Sequence, residues 1–194
     1  MGYDLVVVGT SFGGLQALGA LLEGLPREFG ASLVIVQHRS KDSDETLPRL
    51  LQDRCLLPVR EAEDKQAVEP GRVYVAPADY HLLVDGASFS LSTDPPVVFS
   101  RPSIDVLFES AAEAYRERLV GVVLTGANAD GAKGLLVIRR LGGYAIVQTP
   151  ETAVAPTMPA ASIAIASPDE IVPLDHIAER LVALVGRGAA PHVG

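Results

Sequence analysis

An apolar run that leads straight into a glycine-framed serine constrains the fold of this chain more than any other feature. The run Leu5–Val8 is typical of a buried strand, and Gly9-Thr10-Ser11-Phe12-Gly13 follows it without a spacer. Glycine allows backbone turns where a Cβ would clash, so the segment predicts a tight strand-to-helix turn. It also fits G-x-S-x-G, the pattern that lifts a nucleophilic serine above a sheet.

Strand and helix signals alternate along most of the chain. The alternation predicts an α/β fold with a mostly parallel, doubly wound sheet and helices on both faces. In the middle third, short strands around an Asp85-Gly86 turn predict a small antiparallel β-hairpin, and residues 62–71 resemble a linker. Residue patterning places strands at 4–8, 32–37, 73–75, 82–84, 89–91, 119–124 and 145–148, and helices at 15–25, 44–54, from 103, and at 131–141, 157–166 and 174–187.

Length, charge and cysteine content exclude several classes of protein. The 194 residues predict one domain, placed at 1–185, with a flexible tail at 186–194. A formal charge of −8 argues against a nucleic-acid partner, and the single cysteine, Cys55, excludes an intrachain disulfide. No leader precedes the first strand, and the apolar runs are too short for membrane insertion. We therefore expect a cytoplasmic protein.

Three of the predicted parallel strands lead into reactive side chains. The first ends at Ser11, the second at His38, and the strand at 119–124 enters a loop that contains Asp130. Because the carboxyl ends of parallel strands meet at one edge of the sheet, we expect these side chains to lie together. A serine nucleophile needs a base that removes its proton, and a carboxylate fixes the tautomer of that base. The three residues therefore predict a hydrolytic triad.

Simpler interpretations exist for each residue and for the fold. Ser11 and Asp130 could be helix caps, and His38 an ordinary histidine at a strand end; their coincidence at one sheet edge favours catalysis. A dinucleotide-binding fold is disfavoured, because Ser11 and Gln37-His38 replace the glycine and the acidic residue of its fingerprint. An α/β-hydrolase is also disfavoured, because its acid precedes its histidine along the chain.

A series of short motifs extends this pattern over roughly residues 3–183. Together and in this order they resemble the catalytic domain of the chemotaxis receptor methylesterases (CheB-type), whose triad falls on Ser11, His38 and Asp130. The matching segments are Val8-Gly9-Thr10-Ser11-Phe12-Gly13-Gly14, Val36-Gln37-His38, Pro70-Gly71-Arg72-Val73-Tyr74-Val75-Ala76-Pro77, Arg101-Pro102-Ser103-Ile104-Asp105-Val106-Leu107-Phe108, Leu124-Thr125-Gly126, Asp130-Gly131-Ala132, Gln148-Thr149-Pro150-Glu151-Thr152-Ala153 and Met158-Pro159.

The resemblance implies a protein-glutamate methylesterase that needs no metal or cofactor. Its substrate would be a glutamate methyl ester in the methylated cytoplasmic region of a chemoreceptor, and the same machinery could deamidate glutamine. Backbone N–H groups near His38 and Ala127 are candidates for the oxyanion site, and a broad receptor helix implies a shallow site. Arg39 and Arg101 are candidates for contact with acidic neighbours of the target, although structural ion pairs would also explain them. Further site-lining candidates are Thr10, Phe12 and Met158.

The chain also departs from the family pattern, and the departures leave two alternatives open. Family enzymes often carry an N-terminal receiver domain, whereas this chain begins at the catalytic domain. Phe12 stands where the family commonly has threonine, and Ala127-Asn128 stands where it has Met-Gly. One alternative is an esterase or amidase of the same fold that acts outside chemotaxis. The other is a non-catalytic module that docks on receptors or signalling proteins.

Overall fold

A parallel seven-stranded sheet forms the centre of the computed structural model, which describes residues 2–40 and 46–186. The strands are β1 Leu5–Thr10, β2 Ser32–Gln37, β3 Val59–Glu61, β4 Val73–Val75, β5 His81–Asp85, β6 Ser88–Ser92, β7 Leu119–Val123, β8 Tyr144–Gln148 and β9 Glu170–Val172. The helices are α1 Gly14–Glu23, α2 Thr46–Gln52, α3 Ile104–Tyr115, α4 Ala132–Arg140, α5 Thr157–Ala166 and α6 Leu174–Gly186.

The strand order places β1 at the point where the chain reverses direction across the sheet. The order is β3-β4-β2-β1-β7-β8-β9, so β1 pairs with β2 on one side and β7 on the other. In open α/β sheets, the crevice at such a reversal is where ligands bind, beyond the carboxyl ends of the strands. The loops after β1, β2 and β7 therefore meet at the position that this architecture favours for a site.

Alternation of side chains along the buried strands builds a core on each face of the sheet. Val6 and Val8 of β1 pack into the layer that contains α1 and α6, whereas Leu5 and Val7 pack into the layer that contains α3, α4 and the β5–β6 hairpin. Both faces of the central strands are thus covered by helices, which explains why these strands are almost uninterrupted apolar runs. The predicted doubly wound fold with its antiparallel hairpin is confirmed.

The structure differs from the sequence prediction in the edge strands and in the middle third. The patterning missed β3 and β9, three-residue edge strands with too few residues to show a period. The strand predicted at 73–75, which the patterning assigned to no sheet, belongs to the parallel sheet. Residues 62–71 are no linker, because Lys65 and Val68 donate backbone hydrogen bonds to the β5–β6 hairpin, each at 2.9 Å.

The ends of the described ranges bear on the remaining predictions. The predicted helix at 44–54 is seen as α2 from Thr46, and its first residues lie outside the described residues, as do residues 187–194 of the predicted tail. The domain boundary at 185 remains a prediction. None of the helices within the described ranges is long and apolar enough to cross a membrane.

Candidate active site

Ser11 lies on a tight turn that connects β1 to α1 and is anchored from three directions. Its N–H donates to the carbonyl of Thr125 after β7 at 3.0 Å, and its carbonyl accepts from the N–H of Gly14 at 2.9 Å and from Nε2 of Gln37 at 2.9 Å. Gly13 has a φ of 81°, a left-handed conformation that favours glycine. The G-x-S-x-G turn therefore holds a half-buried serine at the carboxyl edge of the sheet.

His38 follows β2 directly and is hydrogen-bonded to Asp130. Nε2 of His38 lies 2.7 Å from Oδ2 of Asp130, whose side chain is fully buried. Because a carboxylate accepts only, this contact fixes the histidine proton on Nε2 and leaves Nδ1 with its lone pair. Ser11 and His38 line the same surface depression, so the structure brings together the three residues predicted from the strand ends.

Nδ1 of His38, the nitrogen left with a free lone pair, faces two polar side chains. Oγ of Ser100 and Nδ2 of Asn128 each lie 3.4 Å away. Within the described residues, the Ser11 hydroxyl itself makes no hydrogen bond, an arrangement common in ligand-free sites, where catalytic hydrogen bonds tighten only when substrate binds. Ser100 and Asn128 are polar neighbours of His38 Nδ1 that the sequence pattern did not identify.

The Asp130 carboxylate is buried, yet its surroundings favour the ionised form. Burial by itself would raise its pKa, but hydrogen bonds from His38 and from the N–H groups of Ile104 and Asp105 lower the pKa below its ordinary value. The two N–H groups belong to the first turn of α3 and lie 2.7 Å and 3.0 Å from the carboxylate oxygens; Oγ of Ser103 donates at 2.9 Å. A helix N-terminus favours negative charge, so α3 stabilises the acid behind His38.

Asp105 and Asp130 cap each other's helices. Oδ1 of Asp105, in the first turn of α3, accepts the N–H groups of Gly131 at 2.9 Å and Gly134 at 2.7 Å at the start of α4. Burial and the negative charges of Asp130 and Glu109 raise the pKa of Asp105 to about 6, against the hydrogen bonds from these two glycines. The reciprocal caps fix the loop that carries Asp130.

Replacing Asp105 with asparagine tests this pair through its pH dependence. The folded-state pKa lies above the ordinary 3.8, so the stabilisation from this carboxyl is fully present below that value and is lost as pH rises through about 6. Asparagine keeps an acceptor oxygen without the charge. We expect Asp105→Asn to raise the free energy of unfolding by up to about 3 kcal/mol at pH 8, with no gain at pH 4. Equal effects at both pH values in urea unfolding would contradict this.

The backbone hydrogen bonds bear on the predicted oxyanion donors near His38 and Ala127. The N–H of His38 is not available, because it donates to the carbonyl of Thr10 at 3.0 Å in the continuation of the sheet. The N–H groups of Phe12 and Ala127 make no hydrogen bond within residues 2–40 and 46–186. Phe12 follows the serine in the turn that precedes α1, whose N-cap is Gly13. These two groups are the candidate oxyanion donors.

Thr10 and Met158 are fully buried and support the site from below instead of lining it. The Thr10 hydroxyl donates to the carbonyl of Thr125 at 2.8 Å. Met158 packs on Gly126, where an added Cβ would lie 2.5 Å from its Cε, and its N–H donates to the Gly126 carbonyl at 2.9 Å. Both therefore hold the loop after β7. The exposed side chains beside the serine include Phe12.

Arg39 and Arg101 are both engaged in ion pairs. Nη2 of Arg39 lies 2.7 Å from Oε2 of Glu61 and 2.9 Å from the carbonyl of Ala76. Nη2 of Arg101 lies 2.6 Å from Oδ1 of Asp79. The alternative of structural ion pairs therefore has direct support, and the role in substrate contact remains a prediction. Within the described ranges, no group of three His, Cys, Asp or Glu side chains is placed to hold a metal ion.

Two further residues position the site. Nε2 of Gln37 binds the carbonyls of both Ser11 and His38, at 2.9 Å and 2.8 Å. His81 is buried, with Nε2 3.1 Å from the carbonyl of Pro95 and Nδ1 accepting the Ser103 N–H at 3.2 Å. Gln37 and Ser103 lie in motifs that the sequence shares with the family, but no local sequence pattern predicts their hydrogen bonds to Ser11, His38 and His81.

A Gly14→Ala substitution is expected to displace the serine turn. A Cβ at this position would lie 1.9 Å from Oε1 of Gln37 and 2.7 Å from Oγ1 of Thr10, so Gln37 must move and release the Ser11 carbonyl. We expect kcat to fall about 10²-fold, the cost of misplacing a reacting group by about 1 Å. Gly30→Ala is the matched control, because its Cβ would meet only Val185 at 3.7 Å. Equal kcat in the two variants would contradict the expectation.

The fold and the site together define a class: a serine hydrolase-type Ser–His–Asp arrangement at the reversal point of a doubly wound α/β sheet. Comparison with known proteins narrows the class to one family. Residues 6–181 match the family model for the CheB methylesterase. The chain is similar to the crystal structure of the Thermotoga maritima CheB methylesterase catalytic domain, with a TM-score of 0.90 and 35% sequence identity over 95% of this chain and 100% of that one.

Two further relatives agree with this match. A putative protein-glutamate methylesterase/protein-glutamine glutaminase of Leptospira interrogans is 47% identical over 95% of this chain and 96% of its own length. The protein-glutamate methylesterase/protein-glutamine glutaminase of Symbiobacterium thermophilum is 38% identical over 95% of this chain and 51% of its own length. The chain belongs to the CheB methylesterase family.

Proposed function

We propose that this protein hydrolyses glutamate methyl esters and deamidates glutamine on proteins, with Ser11 as nucleophile, His38 as base and Asp130 as the acid that orients it. The observation that carries the proposal is the 2.7 Å contact between Nε2 of His38 and the buried Asp130 carboxylate, beside a serine held on a strand-to-helix turn. Membership in the CheB methylesterase family and the names of the relatives support the same reaction.

The first half of the reaction forms an acyl-enzyme. Nδ1 of His38 takes the proton of the Ser11 hydroxyl while Oγ attacks the ester carbonyl carbon. The N–H groups of Phe12 and Ala127 face the negative charge that develops on the carbonyl oxygen, a contribution of about 3–4 kcal/mol for such a donor. The protonated His38 gives its proton to the leaving methoxide, and methanol departs.

The second half regenerates the enzyme. Nδ1 of His38 removes a proton from water, the hydroxide attacks the acyl carbonyl, and Oγ of Ser11 leaves with the proton from His38. The products are a glutamate carboxylate and free enzyme. With a glutamine side chain the same steps release ammonia in place of methanol. Throughout, Asp130 stabilises the transient imidazolium and remains ionised.

The proposed substrate is the methylated cytoplasmic region of a chemoreceptor, and the proposed compartment is therefore the cytoplasm. The names of the relatives and the membership in the CheB family support this substrate. The proposed catalytic unit is residues 1–185, close to the 6–181 matched by the family model.

A covalent serine probe combined with product analysis tests the proposal. The protein is incubated with receptor membranes that carry labelled methyl esters, and with a glutamine peptide, before and after treatment with a fluorophosphonate. We expect methanol and ammonia release, both lost in proportion to a single phosphonate adduct that mass spectrometry locates on Ser11. Release that persists after complete labelling of Ser11 would overturn the assignment. Release of neither product would favour the docking-module alternative.

A further inference from the structure

Exposed apolar side chains concentrate around the proposed site. Eleven large apolar side chains are exposed within residues 2–40 and 46–186. Six of them lie at the two surface depressions beside His38 or in the turn at residues 97–100: Phe12, Leu15, Leu50, Val97, Val98 and Phe99. Scattered single apolar residues on a surface are ordinary, but a cluster marks an interaction site.

The two depressions share one wall. The larger, about 500 Å³, contains Ser11 and is rimmed by Phe12; the smaller, about 250 Å³, is rimmed by Phe99. His38 and Arg39 line both. His38 and Arg39 therefore separate two apolar-rimmed hollows, and Ser11 lies in the larger of them instead of at the bottom of one enclosed pocket.

Phe99 is presented by a turn that its residue types do not favour. Val97 and Ser100 exchange two backbone hydrogen bonds, at 3.1 Å and 2.9 Å, around Val98 and Phe99. Val98 and Phe99 have φ values of 47° and 63°, which in a two-residue hairpin suit asparagine and glycine. A valine and a fully exposed phenylalanine in these positions are strained, and such outliers cluster at ligand-binding elements.

The strained turn is connected directly to the base. Ser100, which closes the turn, places its Oγ 3.4 Å from Nδ1 of His38. Phe12 is likewise adjacent to the nucleophile, and its side chain is 66% exposed. Each hollow thus has one exposed aromatic ring, carried by the residue next to Ser11 in the larger hollow and next to Ser100 in the smaller one.

We propose that Phe12 and Phe99 form an apolar clamp that selects helical protein segments carrying apolar side chains one turn away from the target glutamyl group. The proposal rests on the proposed esterase function and adds its sequence preference. A helix that lies across His38 and Arg39 places the target side chain at Ser11 in the larger hollow, and residues four positions before and after it lie one turn, about 6 Å, to either side. The apolar side chain on one side then enters the smaller hollow against Phe99, and the one on the other side packs on Phe12 at the rim of the larger hollow, as in other helix-in-groove complexes.

Two helical peptides with a central glutamate γ-methyl ester test the clamp. One carries leucine at positions −4 and +4 relative to the ester, and the other carries serine at both positions. We expect kcat/KM for methanol release to be roughly 10-fold higher for the leucine peptide, the discrimination typical of an apolar contact. Phe12→Ser and Phe99→Ser are each expected to reduce this ratio, and the double variant to bring it close to one.

The control and the contrary outcomes separate this proposal from the proposed function. Ile171→Ser removes an exposed apolar residue from β9, at the far edge of the sheet, and should keep the full preference. Equal rates on both peptides with the wild-type protein, or a preference that survives the double variant, would overturn the clamp while the esterase function stands. No methanol from either peptide or from receptor membranes would overturn both.

Discussion

Replacing Ser11 with alanine is expected to reduce methanol release from methylated receptor membranes by about 10⁶-fold, to the background rate. The substitution removes the only group that the mechanism uses to form the acyl-enzyme. No other part of the structure depends on this hydroxyl, because within the described residues Oγ of Ser11 makes no hydrogen bond, and the turn is held by backbone atoms of Ser11, Thr125 and Gly14. The melting temperature should therefore stay close to that of the wild type.

Ser88→Ala is the control for this experiment. Ser88 lies on the β5–β6 hairpin, where its Oγ donates to the carbonyl of Asp85 at 3.1 Å, so the variant removes a serine hydroxyl without touching the proposed site. Its methanol release should equal that of the wild type. If Ser11→Ala keeps release within about tenfold of the wild type, Ser11 is not the nucleophile. A chemotaxis phenotype that Ser11→Ala leaves unchanged would instead favour a docking module.

Asp130→Asn is expected to lower kcat about 10⁴-fold and to destabilise the fold, whereas Ser11→Ala affects activity alone. The carboxylate accepts hydrogen bonds on both oxygens: His38 and the Ile104 N–H on Oδ2, and Ser103 and the Asp105 N–H on Oδ1. Whichever way an asparagine amide is oriented, its NH₂ group meets a backbone N–H of α3. One buried donor is then left unsatisfied, at a cost of about 1–3 kcal/mol.

The orientation of that amide also decides the tautomer of the base. If the NH₂ group replaces Oδ2, it donates to Nε2 of His38, moves the histidine proton to Nδ1 and removes the lone pair that is proposed to accept the Ser11 proton. The other orientation keeps the tautomer but loses the negative charge that stabilises the imidazolium. Both orientations therefore slow the reaction.

Asp169→Asn separates loss of stability from loss of chemistry. Asp169 accepts the N–H of Ala145 at 2.8 Å and pairs with Arg139 at 3.3 Å, outside the proposed site. Urea unfolding and steady-state kinetics should show that both variants lose stability, while only Asp130→Asn loses kcat at a temperature where each is folded. A proportionate loss of kcat in both variants would show that Asp130 acts only through the fold.

Local patterns were sufficient to predict the central fold and the residues that the sheet edge brings together. Apolar runs at 5–8 and 32–37 and the glycine-framed turn predict β1, α1 and β2, because strand burial and glycine conformations are properties of short segments. Parallel pairing then forces Ser11 and His38 to adjacent strand ends. The rule that ligands bind at the carboxyl edge of the sheet then predicts that Asp130, in the loop after β7, lies beside them.

The edge strands and the ion-pair partners of the arginines could not be predicted from those local patterns. The strands β3 and β9 have three residues each and exist through pairing with β4 and β8, so their strand character comes from the neighbour and not from a period. Similarly, the guanidinium groups of Arg39 and Arg101 looked available in the sequence, and their carboxylate partners lie 22 residues away along the chain in each case.

The sequence by itself determined which residues are brought to one edge of the sheet, because the parallel direction of the strands follows from the alternation of strands and helices. Only the tertiary structure decided how those residues are tuned. The N-terminus of α3 meets Asp130, Asp105 returns the same contact to α4, and a strained turn presents Phe99 beside His38. Hydrogen-bond geometry and burial depend on contacts between distant segments, and such contacts exist only after the chain has folded.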